Sequence, residues 1–481
     1  MRRIAFLPVV LLASPAAAQT ATPEQRMQAA ADQVSQQRLY RDVAKLVSFG
    51  TRHTLSSQTD KKRGIGAAVR WAEAELKKNG LQTLQTCDTV IKPPRVPTPT
   101  KVCNAVGIQR GTERPNDVVI ITGHIDSRVT DVMNVNADQP GANDDGSGTA
   151  AVLESARVLS KQKFPGTIVY AALSGEEQGL LGGKILADYA KAQGWNVIAN
   201  LNNDIVGNSC GSDGVCNDKV VRVFSEGPRW QGREELAAAQ RSLGGENDAP
   251  SRNISRFLDR LAERLPGIGL DVMQVWRNDR FGRGGDHTEF LNNGFPAVRF
   301  SVAVENYDQQ HQDLRTEGGK VYGDTIDKMD FPYLTKVVKL NTAALMALAS
   351  APPPPVNARV EGAVQTFTRA LWEESEGSQS YVVRWRRTDA SNWTEQVAMP
   401  RHRAETSRGP SMCQMLRGDG TPPPPQQRVN FGCQIELRSI RVDDWVFGVS
   451  SVSADGWESP VASAVPGGAF KPYVAPPAAA K

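Results

Sequence analysis

The chain has 481 residues, of which 40% are hydrophobic and 22% charged, a composition typical of water-soluble globular proteins. Its 56 basic and 52 acidic residues give a formal charge of +4, and no basic block is long enough to indicate binding to nucleic acid or to an anionic membrane. At this length we expect one large core together with an accessory module.

The first residues have the pattern of a secretory signal peptide. Arg2 and Arg3 precede the apolar run 4–13, and small residues follow up to Ala18. This order predicts cleavage after Ala18, so residues 1–18 are interpreted as a signal peptide. The run is too short to cross a bilayer, and no later stretch is apolar enough to do so. We therefore expect a periplasmic or secreted protein without an integral membrane segment after cleavage.

Export would place the six cysteines in an oxidising compartment, where an even number favours disulfide bonds. Proximity along the chain suggests three pairs, although six cysteines allow many connectivities and the pairing stays open. A structural zinc site is the weaker alternative, because the chain has no Cys-x-x-Cys pair. The suggested pairs are Cys87 with Cys103, Cys210 with Cys216, and Cys413 with Cys433.

Strand-like and helix-like segments alternate before residue 350. The apolar runs 118–122, 167–173 and 197–205 predict buried strands, and residues 150–159 have the apolar spacing of a helix. Alternation of this kind predicts an α/β fold, with a mostly parallel, mixed sheet sandwiched by helices. We assign this domain to residues 22–350.

The pattern changes after the proline-rich stretch 351–355, which predicts a stiff linker. Alternating apolar and polar residues at 381–386 indicate a half-buried strand, and we interpret residues 356–467 as a small all-β sandwich. Residues 445–460 resemble the last two strands of a fibronectin type III module. The module is expected to bind an unknown partner or to act as a spacer, and residues 468–481 are expected to form a flexible tail.

Candidate catalytic and metal-binding side chains follow the predicted strands or lie in glycine-rich turns. Taken singly, each has an ordinary interpretation, as a polar strand end, an Asp-Gly turn or a solvated glutamate pair. A carboxylate that follows an apolar run is nevertheless costly to bury without a compensating cation. In α/β sheets, moreover, functional groups collect at the carboxyl ends of the strands. In chain order the candidates are His124, Asp126, Asp144, Glu176, Glu177 and Asp204.

Over roughly residues 100–350 these segments resemble the co-catalytic zinc exopeptidases, which include bacterial leucyl aminopeptidases, glutamate carboxypeptidases and, as a divergent branch, glutaminyl cyclases. The resemblance implies two zinc ions, and manganese or cobalt would also suit the ligands. It places His124 and Asp204 on one ion, Glu177 and His311 on the other, and Asp144 as a bridge between them.

The resemblance also implies roles for two neighbouring carboxylates. Asp126 would hydrogen-bond to the far ring nitrogen of His124, and Glu176 would be the general base. Asp286 and His287 match a motif that lies behind the ligands or near the substrate.

His311 is preferred over His287 as the last ligand. The reason is that the family places its last histidine ligand before a segment like 324–327, which reads Asp-Thr-Ile-Asp.

Two arginines, Arg280 and Arg283, precede this second motif. We hypothesise that one of them lines the pocket and binds a carboxylate of the substrate. A solvated basic loop is an equally good interpretation. A loss of activity in Arg283→Ala without a loss of folding would favour the role in the pocket.

The resemblance implies an exported exopeptidase acting on peptides, most simply an aminopeptidase in which Glu176 activates water between two metal ions. A carboxypeptidase or dipeptidase would use the same metal site. A glutaminyl cyclase would keep nearly the same ligands but use one zinc ion. A binding protein on an inactive peptidase fold is disfavoured, because every ligand and the base are present.

Overall fold

A computed structural model of the protein describes residues 21–227, 242–415 and 431–464. The predicted signal peptide (1–18) and the predicted tail (468–481) lie outside these residues. The α-helices of the described ranges are α1 (Pro23–Ala31), α2 (Gln36–Val47), α3 (Ile65–Lys78), α4 (Gly146–Leu159), α5 (Leu181–Ala192), α6 (Pro250–Arg264), α7 (His287–Asn292) and α8 (Phe331–Ser350).

The strands divide between one large mixed sheet, one short hairpin and two smaller sheets. Those of the large sheet are β1 (Gln82–Lys92), β2 (Val96–Gln109), β3 (Arg114–His124), β4 (Gly166–Leu173), β5 (Asn196–Asn203), β6 (Val220–Ser225), β7 (Asp271–Val275) and β8 (Ala297–Val302). The hairpin is β9 (Arg315–Glu317) and β10 (Lys320–Tyr322).

The large sheet has the strand order β1-β2-β4-β3-β5-β8-β6-β7. Its centre, β4-β3-β5-β8, is parallel, whereas β1 and β2 on one side and the β6/β8 pair on the other are antiparallel. The predicted runs 118–122, 167–173 and 197–205 correspond to β3, β4 and β5. The predicted mixed α/β sheet with helices is thereby confirmed.

Both faces of the sheet are covered by helices, as the apolar runs require. Along β3, Val119 and Ile121 belong to a core shared with α1, α2, α3, α4 and α8, whereas Val118 and Ile120 belong to a core shared with α5 and α7. Parallel strands buried on both faces end at the same edge. The edge at which β3, β4 and β5 end therefore gathers the polar residues that follow them.

The beginning of α4 packs directly under the end of β3. The side chain of Asp145 accepts a hydrogen bond from the backbone N–H of Gly148 and so caps the helix. A Cβ on Gly123 would lie 2.3 Å from the Gly148 carbonyl carbon, so this approach requires glycine. The close packing fixes His124 against the turn that carries Asp144.

The C-terminal part contains two antiparallel sheets around a common apolar core. Their orders are β11-β12-β17-β16-β15 and β14-β13-β18-β19, which confirms an all-β unit, while its likeness to fibronectin type III stays a prediction. The strands are β11 (Val356–Glu361), β12 (Phe367–Glu373), β13 (Ser380–Arg387), β14 (Glu395–Pro400), β15 (Ala404–Glu405), β16 (Pro410–Met415), β17 (Phe431–Arg438), β18 (Trp445–Val452) and β19 (Ala462–Ala464).

The C-terminal sheets pack firmly against the α/β part. Trp457 is buried in the apolar core of the α/β part, and Arg386 on β13 donates two hydrogen bonds to the carboxylate of Asp248, at 2.7 and 2.8 Å. The prolines at 352 and 353 accept hydrogen bonds from Ser451 through their carbonyl oxygens. The predicted linker is therefore packed against the C-terminal sheets.

The three cysteine pairs suggested by proximity are confirmed as disulfide bonds: Cys87–Cys103, Cys210–Cys216 and Cys413–Cys433. None of the helices in the described ranges combines the length and apolar character needed to cross a membrane.

Candidate metal centre

The predicted ligands meet at the edge of the sheet where β3, β4 and β5 end. His124 is the last residue of β3, Glu177 lies in the turn after β4, and Asp204 directly follows β5. Asp144 lies in the turn before α4, and His311 lies in the loop after β8. Segments far apart in sequence thus bring five predicted ligand residues together, as two groups of three that share Asp144.

The first group consists of His124, Asp144 and Asp204. His124 Nε2 lies 3.1 Å from Asp144 Oδ1 and 3.8 Å from Asp204 Oδ1. All three side chains are buried. Burial by itself lowers the pKa of His124, but the carboxylates of Asp126 and Asp144 outweigh this effect and raise the pKa well above its usual range. The site therefore favours a positive charge at this position.

The second group consists of Asp144, Glu177 and His311. His311 Nε2 lies 2.9 Å from Asp144 Oδ2 and 3.0 Å from Glu177 Oε1. His311 has a backbone φ of 57°, a conformation that non-glycine residues rarely adopt and that occurs at functional sites. Asp144 thus directs one carboxylate oxygen towards each histidine ring, as a bridging ligand would.

Asp324 and Arg52 hold the turn that carries Asp144. The Asp324 carboxylate accepts hydrogen bonds from the backbone N–H groups of Asn143 (2.9 Å) and Asp144 (2.7 Å). The guanidinium of Arg52 is fully buried and donates to four backbone carbonyl oxygens, including those of residues 140 and 141 in the same turn. Charged groups on both sides therefore fix the backbone just before the shared carboxylate.

Asp126 connects His124 with the turn after β4. His124 Nδ1 lies 3.2 Å from the Asp126 backbone oxygen and 3.5 Å from Asp126 Oδ1, and it is the carboxylate that was expected to face this ring nitrogen. The same carboxylate accepts the backbone N–H groups of Glu176 and Glu177, both at 3.2 Å, and the hydroxyl of Thr54. One buried carboxylate therefore orients a ring and a turn.

Glu176 is half-buried next to Glu177, and its carboxylate makes no hydrogen bond to a described residue. Burial raises the pKa of Glu176 well above its usual range; His124 opposes this effect and Glu177 reinforces it. Asp286 is fully buried nearby, and burial raises its pKa to about 7. Its Oδ1 accepts the backbone N–H of Gly183, while Oδ2 has no partner among the described residues.

His287 lies apart from both groups. Its Nε2 contacts the backbone oxygen (3.0 Å) and side-chain oxygen (3.2 Å) of Asn278, and it lies 3.9 Å from Asp279. Burial lowers its pKa, as expected for a neutral core histidine. The geometry therefore places His311, and not His287, among the candidate ligands.

The two arginines of the predicted substrate loop are in different environments. Arg280 is half-buried between Asp279 (3.0 Å) and Glu305 (3.3 Å). Arg283 is about one-third exposed and donates to Glu305 (3.1 Å) and to Gln310 (3.2 Å). Gln310 in turn donates to Asp144 Oδ2 (3.2 Å), so Arg283 lies one side chain away from the shared carboxylate.

The donor set and its charge fit zinc. The candidate ligands are two imidazoles and three carboxylates, and both are ligand types that bind zinc. Within each group of three, one ligand atom from each residue lies within 4.8 Å of the other two. Glu177 Oε1 is buried and faces His311 Nε2 at 3.0 Å. So many buried carboxylates need compensating positive charge, which cations at both groups would supply.

Besides Arg52, two further arginines at the site were not predicted from the sequence. Arg128 contacts Glu177 and His311, and Arg299 binds Asp204 (2.8 Å) and Asp279 (2.9 Å). Arg299 is the one charged residue of the buried strand β8, and a charge in such a strand is a signal that could have identified it. Arg128 lies in a loop whose composition gives no comparable signal.

The chain is similar to known proteins in sequence and in structure. The model of peptidase family M28 matches residues 104–346. A probable zinc metalloprotease of Leptosphaeria maculans is 44% identical over 384 residues, covering 78% of this chain and 89% of that protein. Another, from Pyricularia oryzae, is 38% identical over 464 residues, covering 92% of this chain and 85% of that protein. The solved LapA aminopeptidase of Legionella pneumophila has a TM-score of 0.49 at 18% identity, covering 72% of this chain and 80% of that chain. The chain therefore belongs to peptidase family M28.

Proposed function

We propose that this protein is an exported zinc aminopeptidase that removes N-terminal residues from peptides. The observation that carries the proposal is the pair of ligand groups sharing Asp144, next to a Glu176 carboxylate that no described residue engages. Membership of family M28 and relatives named as probable zinc metalloproteases support the same conclusion.

In this proposal His124 and Asp204 hold one zinc ion, Glu177 and His311 hold the second, and Asp144 bridges them; manganese or cobalt would suit the same donors. Zinc at these positions would polarise the scissile carbonyl group and lower the pKa of water.

The protein's own residues position the groups and move the proton. Glu176 takes a proton from the attacking water and delivers it to the leaving amine as the peptide bond breaks. The Asp126 carboxylate accepts a hydrogen bond from the backbone N–H of Glu176 (3.2 Å), which keeps Glu176 in place, and it also faces the ring of His124. The negative charge at the site, which includes the Glu176 carboxylate, also suits the protonated amine at the N-terminus of a peptide.

Export is proposed on two grounds. The N-terminal pattern of residues 1–18 is that of a signal peptide. All six cysteines form disulfide bonds, which persist in oxidising compartments such as the periplasm or the extracellular space.

Arg283 supports a second candidate, a carboxypeptidase or dipeptidase with the same metal site. Its guanidinium is partly exposed, and it shares Glu305 with Arg222 and Arg280. This surplus of positive charge could hold the C-terminal carboxylate of a substrate. Arg280 pairs with two carboxylates, those of Asp279 and Glu305, so it is the weaker of the two predicted substrate residues. If the protein is an aminopeptidase instead, Arg283→Ala should leave the rate of hydrolysis of C-terminally amidated peptides unchanged, because these substrates have no C-terminal carboxylate for Arg283 to bind.

The proposal is tested on the purified mature chain by measuring bound zinc and hydrolysis together. Substrates are aminoacyl anilides, N-acetylated peptides and peptides with N-terminal glutamine. We expect about two zinc ions per chain and release of N-terminal residues. Glu176→Gln keeps the zinc but lowers kcat by roughly 100- to 10,000-fold.

Three other outcomes contradict the proposal. Cleavage of N-acetylated peptides at their C-terminus moves the protein to the carboxypeptidases. One zinc ion with ammonia release from N-terminal glutamine identifies a cyclase. A metal-free, inactive chain leaves a binding protein.

A further inference from the structure

His311 lies in a short turn whose backbone is held by other parts of the chain. The turn comprises residues 306–312, and within it the backbone N–H groups of Gln309 and Gln310 donate to the Asn306 carbonyl oxygen (3.3 and 3.1 Å). His311 itself has a left-handed backbone conformation, with a φ of 57°. Such a conformation is costly for a residue with a side chain and persists only where the surrounding structure fixes it. The groups that hold this turn therefore set the direction of the His311 ring.

Ser212, on a neighbouring loop, holds the start of the turn. Its Oγ accepts hydrogen bonds from the backbone N–H groups of Tyr307 (2.6 Å) and Asp308 (3.3 Å). A hydroxyl that accepts from the first N–H groups of a turn acts as a cap, here supplied by a distant part of the chain. In return, the side chain of Asn306 donates to the backbone oxygen of Cys210 (3.2 Å). The two segments are thus joined by hydrogen bonds in both directions.

The loop that carries Ser212 is closed covalently and fixed to a helix. The Cys210–Cys216 disulfide bond joins its two ends. Just before it, the hydroxyl of Ser209 donates to the carboxylate of Asp330 (2.6 Å), which caps α8. Closing a loop removes many of the conformations that an open chain of the same length can adopt. Ser212 is therefore presented to the turn from a rigid support.

The other end of the turn has a weaker support. The hydroxyl of Thr130 donates to the backbone oxygen of His311 (3.1 Å) and accepts from the N–H of Asp313 (3.3 Å). Thr130 is exposed, whereas Ser212 is half-buried. Water competes for hydrogen bonds at an exposed hydroxyl, so these bonds contribute less. The firmer support of the turn is the disulfide-closed loop.

We propose that Ser212, on the loop closed by Cys210–Cys216, is a positioning residue for His311, so that zinc binding at the second ligand group depends on this disulfide bond. The inference rests on the proposed two-zinc function. Without the hydroxyl, the Tyr307 N–H loses this acceptor and the turn can rotate, which moves the His311 ring away from the other two ligands. Disulfide bonds persist in oxidising compartments, so export would complete the support of the second group.

Zinc affinity is measured on the metal-free mature chain by competition with a chromogenic chelator, and urea denaturation measures folding. We expect the wild-type protein to bind two ions. Ser212→Ala should weaken one of them roughly 10- to 100-fold, the size of the effect of groups that orient metal ligands. Ser212→Thr keeps the hydroxyl and should keep the wild-type affinities. His311→Ala identifies the affected ion, because it should remove the same one.

The disulfide bond is tested by the double variant Cys210→Ala/Cys216→Ala. It should weaken the same ion by up to roughly 30-fold, which corresponds to the closure entropy of so short a loop. Its matched control is Cys87→Ala/Cys103→Ala, because this pair also joins one exposed and one half-buried cysteine but links two strands that stay paired through their backbones. The control should change neither affinity.

Asp213→Asn is a second control, because the Asp213 side chain accepts the N–H of Val215 within the same loop (3.1 Å) and should not affect zinc. Wild-type affinities in Ser212→Ala or in the Cys210/Cys216 double variant overturn the inference. Equal weakening of both ions also overturns it, because this indicates a general loosening of the site. If the double variant does not fold, the comparison of Ser212→Ala with Ser212→Thr decides. A wild-type protein that binds fewer than two ions contradicts the two-zinc function itself.

Discussion

At the scale of single residues, the shared carboxylate depends on a second carboxylate far away in sequence. Asp324 accepts the backbone N–H groups of Asn143 and Asp144 and lies 180 residues beyond Asp144. We predict that Asp324→Asn lowers zinc affinity roughly 10- to 100-fold, because an amide offers one acceptor oxygen in place of two and turns its NH₂ group towards another donor. Activity should fall at limiting zinc and recover when zinc is added in excess.

Asp327→Asn is the control for this prediction, since Asp327 lies in the same segment but contacts neither residue. Chelator competition and activity at several zinc concentrations separate the possible results. If Asp324→Asn loses activity that excess zinc does not restore, Asp324 acts on something other than metal binding.

Single residues also show which parts of the site can be predicted from the sequence and which cannot. His124, Asp144, Glu177 and Asp204 were found because each follows an apolar strand or lies in a glycine-rich turn, and such positions are visible in the local pattern. His311 needed the family resemblance. Arg128 and Arg52 were missed because their partners are set by the tertiary fold and lie in other segments. A charged side chain in a loop has no local feature that distinguishes it from a solvated one.

At the scale of elements, the parallel centre of the sheet was predictable and its edges were not. The strands β3, β4 and β5 are apolar runs buried on both faces, which gives a strong signal. Strand β1 lies at the sheet edge and most of its side chains are at least partly exposed, so its sequence looks like a polar loop. The match to family M28 confirms the resemblance, while the roles of the individual residues stay predictions.

The contact between β3 and α4 gives a prediction at this scale. A Cβ at position 123 would lie 2.3 Å from the carbonyl carbon of Gly148, and backbone atoms cannot rotate away as a flexible side chain can. We predict that Gly123→Ala lowers the free energy of unfolding by roughly 1–3 kcal/mol, as overpacking does, and displaces His124. Urea denaturation measures the first effect and zinc affinity the second.

Gly284→Ala is the matched control, because a Cβ at Gly284 would meet its nearest neighbour at an ordinary 3.9 Å. We expect its stability to stay within about 0.5 kcal/mol of the wild type. A Gly123→Ala variant with unchanged stability and unchanged zinc affinity would show that α4 can move away from β3 without consequence.

At the scale of the whole molecule, buried charges join the C-terminal sheets to the α/β part. The Arg386 and Asp248 side chains are both 2% exposed, and Arg256 on α6 lies 3.8 Å from the same carboxylate. Trp457 adds an apolar anchor in the core of the α/β part. An interface with a buried ion pair and a buried tryptophan favours two parts that unfold together rather than a tethered, independent module.

The last prediction follows from this interface. Asp248→Asn leaves the guanidinium groups of Arg386 and Arg256 buried without their carboxylate, which should cost about 3–5 kcal/mol because the charges remain out of water. Asp389→Asn is its control, since Asp389 pairs with Arg387 at the surface, where the two side chains are 82% and 62% exposed, and should cost less than about 1 kcal/mol. In calorimetry the wild type should unfold in a single transition and release its zinc at the same temperature. Asp248→Asn should shift this whole transition, including the release of zinc, to a lower temperature. The opposite result would be two separate transitions, one of which Asp248→Asn leaves unchanged. If zinc is released in that unchanged transition, the metal centre is stable without the C-terminal sheets.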